Sequence, residues 1–338
     1  MAKGVLNGDL PSRPLLLPIV FSLGAKVENV PLNAFLNNPT KIVSALRQMR
    51  SHLHADGVAC YFDPYLEAEA LGATLERKFE DQPPVVHWQH SARVGKLSEG
   101  LRSPEEAVQN GRIPVAVEVI RRMNSVPNRD FLLQAHVSGP IALAAQIAQV
   151  EKQENWDIAV LLAEVLELAS SVVTHTVTAF LEAGADVVVI NEQAPNAITA
   201  KSCEEWANLL SSAINVTRFY EALPVLQLTD SSAVLKNWDT ILSQPWDCVL
   251  CGPASVLSRR PERASPTQLI SRGLTLPLDI FVPDKAGAED LLLNLNRAVA
   301  QLRPAIIITA GDVSFATDLK HLRKVLGEII RPLHHSYE

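Results

Sequence analysis

Short, unbroken apolar blocks recur along the whole chain, with long stretches of helical pattern among them. The blocks are PLLLPIVF, GVACYFD, PPVVHW, DFLLQAHVSG, ADVVVINE, LPVLQLTD, DCVLCGP, LPLDIFVP and AIIITAGD. They are rich in Val, Ile and Leu, as expected of strands buried on both faces of a parallel sheet. NPTKIVSALRQMRSHLHA spaces its apolar residues three and four apart, with Asn38 as N-cap and Pro39 in the first turn. DIAVLLAEVLELASSVVTHTVTAFLEAGA is a longer helical run ending at Gly184, apolar over much of its surface and so packed on more than one side. AEDLLLNLNRAVAQL and FATDLKHLRKVLGEIIRPL close the series. Repeated strand–helix units predict parallel strands joined by right-handed crossovers. Nine blocks over 338 residues favour a distorted (β/α)₈ barrel with an N-terminal extension and one irregular strand, as a single domain over 1–338. An open doubly wound sheet is the competing architecture. No G-x-G-x-x-G stands between a strand and a helix, and there is no P-loop, which argues against a nucleotide fold.

Composition narrows the function classes. A net charge of -7 without a long basic run argues against a nucleic-acid partner. The apolar N-terminal stretch is short and broken by Pro14 and Pro18, unlike a signal peptide. No run approaches the length of a membrane span. Of four cysteines, only Cys248 and Cys251 are close, and C-V-L-C lies in a strand block rather than at a helix start. A reducing cytoplasm is the expected setting.

In a parallel barrel the site lies at the C-terminal ends of the strands. The residues delivered there form a polar, mostly acidic rim. GVACYFDPYLE gives Asp63, Tyr65 and Glu67. VVHWQH gives His87 and His90, and LLQAHVSGP gives His136 and Ser138. VVVINEQ gives Asn191, Glu192 and Gln193, and VLQLTD gives Gln227, Thr229 and Asp230. Cys251, Asp279, Asp284 and Asp312 follow. Polar residues after strands commonly cap the next helix. Asp63 stands out because Pro64 fixes its corner directly after an apolar strand. Asn191 and Glu192 stand out because they end the most apolar strand. Glu69, inside the following helix, reads as solvated. H-E-x-x-H is absent, and His87 and His90 at i, i+3 on a strand point to opposite faces. No resident metal or organic cofactor is expected.

Taken in order, several segments resemble the uroporphyrinogen decarboxylase superfamily, which includes corrinoid-dependent methyltransferases. They are RPLLLPIVFSLGA, DGVACYFDPYLEAEALGATLE, NGRIPVAVEVIRRM, AHVSGPIALAAQIA, AFLEAGADVVVINEQA and ITAGDVSFATDLKHLRKVL. The likeness spans nearly the whole chain and implies a distorted barrel with a deep cleft. The decarboxylases' pyrrole-binding Asp matches Asp63. Their basic N-terminal segment is reduced here to Lys26, Gln146 stands where they carry a Tyr, and Asp312 lies near the position of a late His. The methyltransferase branch binds zinc through H-x-C and a final Cys. Gln227, Thr229 and Gly311–Asp312 match those positions.

The leading expectation is a cofactor-independent lyase that decarboxylates a small carboxylated molecule other than uroporphyrinogen. Asp63, Glu192, His136 and Asp312 are the expected catalytic groups. Lys26, Tyr65, Asn191, Gln146 and Gln227 are expected to bind substrate. A methyltransferase working with a corrinoid protein is the alternative, and a non-catalytic binding protein on the same barrel is the third reading. The resemblance also implies a homodimer.

Overall fold

The computed structural model describes residues 13–77, 84–88, 100–149, 163–192, 200–228, 240–241, 243–244, 246–252, 271–282, 285–302 and 304–333. The chain starts with β1 (Leu15–Leu17), then α1 (Leu23–Val27), α2 (Leu32–Leu36), α3 (Pro39–Leu53) and β2 (Gly57–Tyr61). After these come α4 (Leu66–Leu71), β3 (Thr74–Glu76), β4 (Val85–His87), α5 (Pro104–Ala107), α6 (Ile113–Asn124), β5 (Leu132–Ser138) and α7 (Pro140–Ile147). Next are α8 (Ala163–Ala183), β6 (Val187–Glu192), α9 (Ala200–Phe219), β7 (Leu223–Leu228), β8 (Cys248–Cys251) and β9 (Ser271–Leu276). A 3₁₀ turn over Leu278–Phe281, α10 (Ala288–Leu302), β10 (Ile306–Thr309) and α11 (Leu319–Leu333) complete it.

Eight strands form one parallel sheet in the order β1-β10-β9-β8-β7-β6-β5-β2. Its two ends come together where the Asp56 N–H donates to the Leu16 carbonyl at 3.0 Å and the Leu16 N–H to the Asp56 carboxylate at 2.9 Å. The result is a nearly closed (β/α)₈ barrel, as the alternation of apolar blocks and helical runs predicts. Leu15, Leu17, Ala59, Val187, Val189, Leu223, Val225, Leu250, Ile306 and Ile308 fill its interior. The opposite strand faces pack on the helices in a second, larger core. Asn38 caps α3 by accepting from the Lys41 N–H at 3.1 Å, with Pro39 in the first turn.

Two of the nine expected strands are different. LPLDIFVP is not a strand. It forms the 3₁₀ turn, and its place in the eight-stranded barrel goes to SRGLTL. Pro277 and Pro283 have no N–H to donate, so that block cannot pair on both sides in a central ladder. SRGLTL is less apolar, but β8 and β10 flank it with open hydrogen-bonding edges on both sides. PPVVHW does form a strand, β4, but pairs antiparallel with β3 in a separate two-stranded unit. There His87 meets Glu76 at 3.2 Å in an exposed pair.

Candidate active site

Side chains at the C-terminal ends of the strands surround a cavity of about 330 Å³. Asp63, His136, Ser138, Asn191, Gln227 and Thr275 rise from the strand ends, and Gln146 reaches in from α7. Phe62, Val137, Leu228 and Pro277 supply apolar walls.

Asp63 sits at the corner between β2 and α4, with a side chain only 2% exposed. Its Oδ1 accepts from the Tyr65 N–H at 3.0 Å, an Asx turn shaped by Pro64. Its Oδ2 meets Arg112 Nη1 at 2.9 Å and Arg77 at 3.4 Å. Arg112 also donates from Nε to Glu69 at 2.7 Å. Glu69 is therefore not a solvated helix residue. It faces back and shares one guanidinium with Asp63. Gly111 makes this possible: its backbone has φ of 59°, and a Cβ there would lie 3.1 Å from the Ala70 nitrogen. That close approach seats Arg112 against α4. Arg112 lies in NGRIPVAV, and the Gly before it is the local signal by which it could have been found.

His136, on β5, is buried, and neither ring nitrogen has a partner. Burial pushes its pKa down to about 3, so the imidazole is neutral near pH 7. Phe62 packs edge-on against the ring at 5.3 Å. Asn191 donates to the Val137 carbonyl at 3.2 Å while lining the cavity.

Glu192 lines the cavity, and its carboxylate also holds the scaffold. Its carboxylate accepts from the Ile141 and Ala142 N–H groups at 3.1 and 2.7 Å, and from the Trp206 indole at 3.2 Å. It therefore caps α7, where a negative charge meets the positive end of the helix dipole. A Cβ at Gly139 would fall 2.3 Å from this carboxylate, so the strand-to-helix turn needs glycine there.

Lys26, Tyr65 and Asp312 do not line the cavity. The Lys26 ammonium lies 5.0 Å over the Phe315 ring. Tyr65 packs on the outer core. Asp312 accepts from the Ser22 N–H at 2.9 Å through Oδ2, and its Oδ1 is buried without a partner. Burial, with the nearby charge of Asp63, pushes the Asp312 pKa up to about 7. Gln193, Thr229, Asp230, Asp284 and His90 lie outside the described residues. Asp279 is exposed beside Lys285.

Glu67 follows the Asp63 corner on α4 and is fully buried, with neither carboxyl oxygen in a well-formed hydrogen bond. Burial pushes its pKa up to about 7, opposed by neighbouring Ser138, whose own hydroxyl donates to the Pro64 carbonyl at 3.1 Å. Between the ordinary value of 4.5 and about 7, the folded chain keeps a proton that the unfolded chain releases. Stability contributed by this group therefore falls as pH rises through that window, by ~1.4 kcal/mol per unit. Glu67→Gln removes the ionisation. The variant should match the parent chain near pH 4 and exceed it by about 3 kcal/mol near pH 8, measured by urea denaturation at both values. Equal stability at both pH values would mean that Glu67 is hydrated in solution.

The zinc site of the methyltransferase branch does not fit this donor set. Gln227 spends its amide on the Thr309 carbonyl at 3.0 Å. Asp312 stands where that branch has its final Cys, and burial pushes the Cys60 thiol well up, away from thiolate. Among the described residues, no three His, Cys, Asp or Glu side chains gather as metal ligands. No described helix is long and apolar enough to cross a membrane.

Comparison with known proteins matches the uroporphyrinogen decarboxylase (URO-D) family over residues 5–221. Over 124 residues, 26% are identical to a methylcobamide:CoM methyltransferase, MtaA, of Methanosarcina barkeri, and equally to that of its strain Fusaro. The stretch is 36% of this chain, and the chain spans only 36% of the length of these curated relatives. A methyltransferase structure from Methanosarcina mazei superposes with a TM-score of 0.72, covering 97% of this chain and 96% of that one at 16% identity. That is a likeness of fold.

Proposed function

The chain belongs to the uroporphyrinogen decarboxylase (URO-D) family, and from that premise we propose that it is a cofactor-independent lyase that decarboxylates a small molecule. The observation that carries this is His136, a neutral, unpartnered and buried imidazole among the side chains that line a largely apolar cavity. When the bond to the carboxylate breaks, carbon dioxide leaves and its electron pair moves into an acceptor group on the substrate. A neutral imidazole N–H aimed at that acceptor stabilises the growing charge without first giving up its proton. A proton then takes the vacated position on carbon.

Asp63 carries two arginines on its carboxylate. Its role is to hold the corner and to accept a substrate hydrogen bond through a remaining lone pair. Among the described residues no Lys or Arg lines the cavity, which suits a small substrate and not a tetrapyrrole with eight carboxylates. The test is carbon dioxide release from small oxo acids and carboxylated heterocycles by the purified chain. Methyl transfer, with a corrinoid protein as partner, is the second reading, favoured by the likeness to MtaA. Demethylation of methylcobalamin by a thiol, catalysed by the chain and with no release of carbon dioxide from any acid, would put that reading first.

A further inference from the structure

Among the described polar side chains that line the cavity, Asn191 is the one that keeps partly exposed surface; the others are buried. The strand sets its direction. Asn191 follows Val187 and Val189 at alternate positions on β6, and both valines fill the barrel interior. Alternate residues of a strand share a face, so Asn191 stands above those valines at the mouth of the barrel, on the cavity wall. Chemistry sets the amide orientation. Nδ2 donates to the Val137 carbonyl at 3.2 Å and to the Val189 carbonyl at 3.4 Å. A carbonyl can only accept, so the nitrogen must face this pair and Oδ1 must face the other way. Among the described residues Oδ1 receives no hydrogen bond, and it is not sealed off as the oxygens of Gln146 and Gln227 are.

The surroundings of this open acceptor restrict what can use it. Phe62, Val137, Leu228 and Pro277 make the adjoining wall apolar. Among the described residues no Lys or Arg lines the cavity, so an anionic group finds no counter-charge there. The two wall carboxylates are already engaged, Asp63 by two arginines and Glu192 by the α7 N–H groups and the Trp206 indole. A cation therefore finds no unpaired carboxylate on the wall. The volume of about 330 Å³ lies at the small end of the roughly 300–1,000 Å³ usual for ligand pockets. We infer that Asn191 sets specificity: the cavity takes a small, largely apolar ring bearing one uncharged O–H or N–H, which donates to Asn191 Oδ1. This deepens the lyase reading and rests on it only in taking that ring as the part of the substrate left when carbon dioxide departs. Binding itself needs no turnover.

The experiment is calorimetric titration of the full chain with phenol, anisole and benzylamine at the same millimolar concentrations. Phenol should bind at least about tenfold more tightly than anisole, whose oxygen has no proton to give and leaves Asn191 Oδ1 unmet. Benzylamine, a cation near neutral pH, should bind more weakly than phenol. Asn191→Leu, similar in size but without the oxygen, should weaken phenol to the level of anisole and leave anisole unchanged. That variant also strips the donor from the Val137 and Val189 carbonyls. Should it fail to fold, a crystal structure of the parent chain soaked in 4-bromophenol decides instead. A hydroxyl oxygen about 2.5–3.0 Å from Asn191 Oδ1 is the expected result, and a hydroxyl directed elsewhere overturns the inference. Anisole binding as tightly as phenol, benzylamine binding more tightly than phenol, no phenol binding, or a phenol preference that survives Asn191→Leu would overturn it too. A phenol preference set by Asn191, without carbon dioxide release from any acid, would sink only the lyase reading. Decarboxylation of an acid that has no O–H or N–H beyond its carboxyl group would sink only this one.

Discussion

His136→Phe should lose about a hundredfold to a thousandfold in kcat and yet be more stable than the parent chain. The loss follows from removing the one N–H aimed at the developing charge. The gain follows from burial: the imidazole has two unpaired nitrogens in an apolar surround, at about 1–3 kcal/mol each. Phe62 already packs edge-on against this ring, and a phenyl of similar size keeps that contact. The pH dependence adds a second readout. The pKa of His136 is depressed to about 3 in the folded chain, against 6.5 ordinarily. As pH falls below 6.5, the unfolded chain gains a proton that the folded chain refuses, and stability drops by ~1.4 kcal/mol per unit. That contribution is whole above 6.5 and disappears in His136→Phe. Kinetics of carbon dioxide release and urea denaturation across this range measure both effects. A variant with full turnover would remove His136 from the reaction.

Arg112→Met should cost about 3–5 kcal/mol, because it strips the main partner from a carboxylate with a side chain only 2% exposed. Arg77 at 3.4 Å is too distant and too loosely placed to replace it, and Glu69 loses its partner in the same step. Adding Asp63→Asn to Arg112→Met should recover most of the loss, since the uncompensated charge and not the missing guanidinium carries the cost. Arg112→Lys should recover less, because an ammonium cannot bridge two carboxylates with a planar fork. Denaturant midpoints of the four chains test this. A single-variant cost below about 1 kcal/mol would mean that water reaches the pair in solution.

Asp63 and Pro64 announce a rigid corner in the sequence, and the corner is there. The sequence does not reveal that its carboxylate is already taken, because the main partner, Arg112, stands at the N-cap of α6 forty-nine residues further on. Glu192 shows the reverse: it ends the most apolar strand as a catalytic group would, but its oxygens serve the α7 N–H groups and the Trp206 indole. Glu67 reads as one of several rim acids until burial, which sequence does not state, raises its pKa. Thr275 was hidden because the strand carrying it is less apolar than the proline-flanked block beside it.

What the sequence alone determined is what depends on local period and local stereochemistry. Continuous Val, Ile and Leu blocks gave the parallel strands, three-and-four spacing gave the helices, and their alternation gave the barrel. Strand direction then gave the end at which polar residues would meet. Only the tertiary structure decided which of those polar atoms are satisfied. Pairing is a competition among groups far apart in the chain, and a few tenths of an ångström in the packing decide it. Arg112 reached Asp63, the Glu192 carboxylate reached a helix end, and the oxygens of Gln146 and Gln227 were left buried without a partner.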